Sequence, residues 1–154
     1  MKMNKGGICA IVMVLAILCP LLSAAYIHYQ RNNFNCESHV TIVDKQEVVD
    51  IIMTFSFNNG VGNYQVSGEY IKDNQPPVAI SNNVSFNYWR EEGSIIMVST
   101  ETNELPKKSL PYRAWIPDFF QHRERGIRMT ITAANADSYY LSYSHSPVMY
   151  CTKG

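Results

Sequence analysis

Two hydrophobic patterns divide this chain. From Ile8 to Tyr26 apolar residues follow one another without a charge, ICAIVMVLAILCPLLSAAY, with Lys2 and Lys5 before the run and His28 and Arg31 after it. About 20 such residues, rising about 1.5 Å each, cross a hydrocarbon layer about 30 Å thick, so the run predicts a membrane-crossing helix. Lysines on its N-terminal side favour a cytoplasmic N-terminus and place everything after Tyr26 on the far side. Two fates stay open. Ser23-Ala24-Ala25 resembles a signal-peptidase site, while Ala24 to Ile27 extend the run into an uncleaved anchor with Tyr26 and Tyr29 at interfacial depth. The anchor is the preferred reading. A lipoprotein is disfavoured, because Leu18 precedes Cys19 and Ile8 precedes Cys9 where a small residue is wanted.

Beyond the run the period changes to two. Val49, Ile51, Met53, Phe55 and Phe57 alternate with less apolar neighbours and end at Asn58-Asn59-Gly60, a strong hairpin signal. Tyr64, Val66 and Tyr70 form the returning face, with Gly68 between them as an expected bulge or bend. A first short strand is expected over Val40 to Val43. After the loop Lys72 to Pro77, Val84, Phe86 and Tyr88 alternate again, and Glu91-Glu92-Gly93 turns the chain into Ile95 to Thr100. Prolines 106, 111 and 117 make Leu105 to Pro117 a long connection with little sheet. Pro117 to Arg125 reads as one short helix with Gly126 as its stop. Ile127, Met129 and Ile131, then Tyr139, Leu141 and Tyr143, complete six or seven strands before the chain closes through Pro147 to Cys151. The organisation is therefore a membrane anchor over 1–28, a polar tether over 29–35 and one all-β domain over 36–154. Its fold is an antiparallel meander closing into a barrel in preference to a sandwich.

Composition sharpens this picture. Thirteen basic and 13 acidic side chains leave no net charge, which argues against a nucleic-acid face. Ten Tyr, six Phe and two Trp suit a compact β domain. Cys9 and Cys19 lie in the apolar run and behave as small hydrophobes. Cys36 and Cys151 stand near the two ends of the exported part. In an oxidising compartment the expected state is a bridge between first and last strands, with an intermolecular bridge or a reactive thiol as alternatives.

Chemistry is sparse. His28, His39, His122 and His145 have no spacing that would seat a metal on one helical face. Ser144 and His145 are sequence neighbours, so on a strand they point apart and cannot pair as nucleophile and base. Glu91, Glu92, Glu101 and Glu104 read as solvated turn residues. The glycosylation triplet Asn83-Val84-Ser85 carries little weight. No phosphate loop, dinucleotide fingerprint or nucleophile elbow is present, so neither an enzyme nor a bound cofactor or metal is expected. Phe55, Phe57, Tyr64, Phe86 and Tyr88 converge inside a barrel, either as a packed core or as the lining of a cavity for an amphipathic ligand.

An N-terminal membrane segment, Cys36 in F-N-C-E-S, Gly62 and Gly68 around one strand, and Pro147 followed by Cys151 together resemble the FidL-like inner-membrane proteins of enteric bacteria. More distantly they are similar to the ToxS, MyfF and PsaF accessory proteins. The resemblance implies a single-pass bacterial inner-membrane protein with a periplasmic β domain. Its implied partner is the periplasmic domain of a membrane-bound winged-helix transcription regulator of virulence or fimbrial genes, which it would bind and stabilise. It also implies a lipocalin-like barrel able to take a bile-salt-like ligand, with an independent carrier or sensor of such molecules as the alternative function.

Overall fold

The computed structural model describes residues 5–44, 47–102, 116–143 and 146–154, without the side chains of 5, 6, 10 and 146–148. The chain falls into two compact units, 1–33 and 34–154. The first is one helix, α1 (Lys5–Asn32), of 28 residues. At about 1.5 Å per residue it spans about 40 Å. From Gly7 to Asn32 it is long and apolar enough to cross a membrane. Pro20 lies inside it, and the Ser23 hydroxyl bonds back to the Cys19 carbonyl four residues earlier at 2.8 Å. Its last turns are polar: Gln30 donates to Tyr26 Oη at 2.7 Å, Asn33 donates to the Tyr29 carbonyl at 2.9 Å, and Arg31 complements the helix C-terminus. The segment 29–35 is therefore structured throughout. Tyr29 to Asn32 are helical and Asn33 to Asn35 already lie in the first strand, so no irregular tether separates the elements.

The second unit is a closed antiparallel barrel of eight strands in sequence order. They are β1 (Asn33–Asp44), β2 (Glu47–Asn58), β3 (Val61–Lys72), β4 (Val78–Glu91), β5 (Ser94–Thr102), β6 (Gly126–Asn135), β7 (Ser138–Tyr143) and β8 (Ser146–Lys153). The alternation over 49–57, 64–70, 84–88 and 95–99 marks the inward face, where Val49, Met53, Phe55, Phe57, Tyr64, Val66, Tyr70, Val84, Phe86, Tyr88, Ile95 and Met97 are buried. Asn59 and Gly60 both have positive φ, 44° and 94°, and Glu92 and Gly93 repeat the arrangement at 49° and 79°, so both hairpins take the tight turn that suits strand twist.

Three expectations change. Six or seven strands become eight, because β1 is twelve residues long and β8 forms a full strand despite Pro147. Gly68 is no bulge: pairing runs through it in register on both sides, to Ile51 and to Ile80. Its missing Cβ instead lets the Asp50 carbonyl and Ile51 approach, a position where a side chain would overlap the backbone of β2. Register shifts occur at Ser85/Phe86, Ala133/Asn135 and Leu141/Ser142. The helix expected over Pro117 to Arg125 shrinks to a single 3-10 turn, Asp118–Phe120. Most of the proline-rich connection, 103–115, lies outside the described residues, as do Glu104, Ser144 and His145.

Candidate interaction site

The barrel is built unevenly around its circumference. Twelve consecutive residue pairs join β2 to β3, from Glu47 with Lys72 to Asn58 with Val61. Across the closure between last and first strands, the ladder among the described residues is Cys36 with Lys153 and Glu37 with Thr152. Thr152 Oγ1 adds a 3.4 Å contact to the Glu37 carbonyl. Beyond it, residues 38–44 of β1 and 146–151 of β8 run on as strands, with no further pair between them among the described residues. On its other side β8 pairs with β7, from Ser138 with Thr152 to Tyr143 with Ser146. β1 is tied to β2 by side chains: Ser56 donates to Asn35 at 2.7 Å, and Thr41 and His39 both reach Asp50 Oδ1, at 2.7 and 2.8 Å. Two strand edges thus face a seam, and unpaired edges are where another strand can add. Val43 on β1 is 68% exposed and Tyr150 on β8 is 44% exposed.

One covalent bond closes that seam. Cys36 and Cys151 form a disulfide with Cα atoms 5.4 Å apart, and both residues are fully buried. Phe34 packs beside the bridge region, stacked on Phe57 at 4.5 Å and tilted against Tyr139 at 5.0 Å. Lys153 Nζ lies 5.3 Å from the Tyr139 ring centre.

The interior gathers all five aromatic residues marked in the sequence. Phe55 meets Tyr64 at 4.8 Å and Phe57 at 6.2 Å, and Phe57 meets Phe86 at 5.6 Å and Tyr88 at 5.2 Å. The connection between β5 and β6 then turns back into the barrel and adds two rings that sequence reasoning missed. Phe119 packs on Phe86 at 5.7 Å, and Phe120 packs on Tyr64 at 4.7 Å and on Phe55 at 6.4 Å. The plug is held by polar side chains pointing inward. Asn82 Nδ2 donates to the Phe120 carbonyl at 2.7 Å. Buried Ser99 lies 2.7 Å from the His122 carbonyl through Oγ and accepts the Arg125 N–H at 3.0 Å, while its own backbone bonds to Arg125 and Glu124. These bonds explain why no helix forms: the carbonyls a helix would use are captured by β5, and Glu124 takes φ 58°. A single turn also lets two consecutive phenylalanines both enter the core. The sequence signal was the Phe119-Phe120 pair itself, two large apolar residues where helical spacing would bury only one.

The remaining candidates are scattered. His28, His39 and His122 are exposed, and His39 sits on Asp50. Thr41 first and His39 second hold the Asp50 carboxyl below the usual carboxylate range. Glu47 is likewise lowered, by Lys72 at 2.6 Å and then by Tyr70. Glu92 pairs with Arg128 at 3.2 Å and Glu101 is exposed. Asn83 is half-buried and accepts from Asn63 at 2.6 Å, a poor acceptor for a glycan. Among the described residues, no three His, Cys, Asp or Glu side chains come together as a metal site.

The family model described as the YqeJ C-terminal domain matches residues 33–151, which covers the barrel from the first residue of β1 to Cys151. The chain belongs to that family. No curated protein matches it. The match to this YqeJ C-terminal domain begins where α1 ends, so helix and barrel are separate units in sequence as in structure.

Proposed function

We propose that this chain is a single-pass protein of a bacterial inner membrane whose periplasmic barrel binds and stabilises the periplasmic domain of a membrane-bound winged-helix transcription regulator. In that role it assists signal-dependent expression of virulence or fimbrial genes and performs no chemistry itself. The observation that carries the reading is the seam, where two strand edges run on unpaired beside exposed Val43 and Tyr150. Such an edge offers backbone hydrogen bonds to an extended segment of another protein, with alternate side chains setting specificity. The helix supports the same reading, since two proteins confined to one bilayer meet at a raised effective concentration and need only a modest interface. The resemblance to FidL-like proteins supplies the class of partner.

The test is a photo-crosslinking amino acid placed at Val43 or Tyr150 in cells that also make a membrane-bound winged-helix regulator with a periplasmic domain. A crosslinked adduct of the two proteins, with faster turnover of the regulator when this chain is deleted, is expected. No adduct from either position together with unchanged regulator turnover refutes the reading.

A second reading is favoured by one observation inside the barrel. Asn82 Oδ1 is buried and has no hydrogen-bond partner among the described residues, beside an aromatic interior with tyrosine hydroxyls. A lipocalin-like carrier or sensor of a bile-salt-like amphipath would place a hydroxyl there after displacing Phe119 and Phe120. Faster hydrogen exchange of the plug peptides, with slower exchange of the strands lining the interior, in the presence of such a ligand would support it.

A further inference from the structure

We infer that the Cys36–Cys151 disulfide is the latch of a seam that opens locally, so that the redox state of this one bond decides whether the barrel is closed. Three observations meet here. Among the described residues the ladder between β8 and β1 has two residue pairs, against twelve between β2 and β3. The bridge joins residues 115 apart in sequence across that same short ladder. Both strands keep their other neighbours when the seam parts, β1 through Asn35, His39 and Thr41 to β2, and β8 through its ladder to β7. Against opening stands Phe34, whose ring bridges Phe57 and Tyr139, but it anchors only the start of β1. Among the described residues no comparable hold crosses the seam from 38–44, and Ile42 and Val43 face solvent.

Burial sets the order of events. Both cysteines have no exposed surface in the closed barrel, so a disulfide-exchange reagent reaches them only while the seam is open. Oxidation then proceeds by exchange. One cysteine thiolate attacks an external disulfide and expels a thiol. The second cysteine thiolate displaces the remaining external sulfur from the mixed disulfide, so two electrons and two protons leave as two external thiols. The bond formed clamps β1 to β8. Reduction by an external dithiol reverses each step and frees the edges of β1 and β8 while leaving the wall from β2 to β5 paired. The inference concerns the chain alone and stands or falls separately from the identity of any partner.

Hydrogen exchange read by mass spectrometry on the full chain in detergent micelles tests it. Three samples are compared: oxidised protein, protein reduced with dithiothreitol, and Cys36→Ser. In the second and third samples, exchange in peptides covering 33–44 and 146–153 is expected to accelerate at least about tenfold more than in those covering 47–72. Equal acceleration of every strand, including global unfolding of the reduced wild-type chain, would show that the bond stabilises the whole barrel and is no local latch. Unchanged exchange at 33–44 and 146–153 would show that the seam stays shut without it. Either result overturns the inference, and the reduced wild-type sample decides the matter if Cys36→Ser does not fold.

Discussion

The wall from β2 to β5 and the seam between β8 and β1 are held by different physics. In the wall, long ladders and interlocking rings divide the stability among many contacts, so that removing one leaves the rest in place. At the seam, among the described residues, two residue pairs, one aromatic ring and one covalent bond carry the closure. A barrel abolishes its edges only as firmly as its weakest strand pair. The comparison therefore predicts that damage to the wall lowers global stability and damage to the seam changes where the molecule opens.

Phe86→Ala should show the largest effect. The residue is fully buried between Phe57, Tyr88 and Phe119, and its ring occupies the space that a side chain at Gly62 would need. A cavity of that size lowers stability by about 4 kcal/mol. Denaturant unfolding followed by circular dichroism should show the midpoint falling for the whole barrel in one transition. Cys36→Ser comes next at about 3 kcal/mol, chiefly by releasing the unfolded chain from a long closed loop. Its signature differs from that of Phe86→Ala because native-state exchange at the seam rises first. Identical exchange maps for the two variants would erase the distinction between wall and seam.

The same division marks what could be read from the sequence. Strands β2 to β5 were legible because their inward positions are nearly all large and apolar and their turns carry Asn-Gly and Glu-Gly. Strand β1 was not, beyond Val40 to Val43, since its inward positions are Phe34, Cys36, Ser38 and Val40, and buried Ser38 breaks the apolar pattern. Pro147 similarly concealed β8, although Ser142 faces it in the ladder at a register shift. The cysteines announced the bridge through their positions alone. What they could not announce is that the ladder beside them is so short, because pairing between strands more than 100 residues apart leaves no local trace. Ser99 was equally invisible: a serine on an alternating strand gives no sign that its hydroxyl will capture a distant loop.

That capture supplies a smaller prediction. Ser99→Ala removes the bonds to the His122 carbonyl and the Arg125 N–H and leaves both groups without their partner. A loss of about 2 kcal/mol is expected, with faster exchange confined to residues 116–126. Because the plug packs against Phe86 and Tyr64, this variant also separates the wall from its stuffing. If exchange accelerates along β2 and β3 as well, the plug is part of the wall.

The smallest effect is acid-dependent and falls on both regions. Asp50 ties β1 to β2 through Thr41 and His39, whereas Glu47 ties β2 to β3 through Lys72. Both carboxyls titrate below their ordinary values in the fold. A carboxylate with a depressed folded pKa contributes stability above its unfolded pKa, about 4, and loses it as pH falls through the folded value. Acidification from pH 5 to 3 should therefore lower the unfolding midpoint of the wild-type chain. Asp50→Asn should begin lower at pH 5 and fall less, so that the two curves approach each other at pH 3. The gap at pH 5 will be small, because Asp50 is half exposed and lies opposite Glu69 on β3, where removing one of two like charges offsets part of the loss. Parallel curves for the two proteins would mean that the side-chain bonds from His39 and Thr41 do nothing to hold β1, and that the first strand is held by its pairing with β2, its disulfide and Phe34.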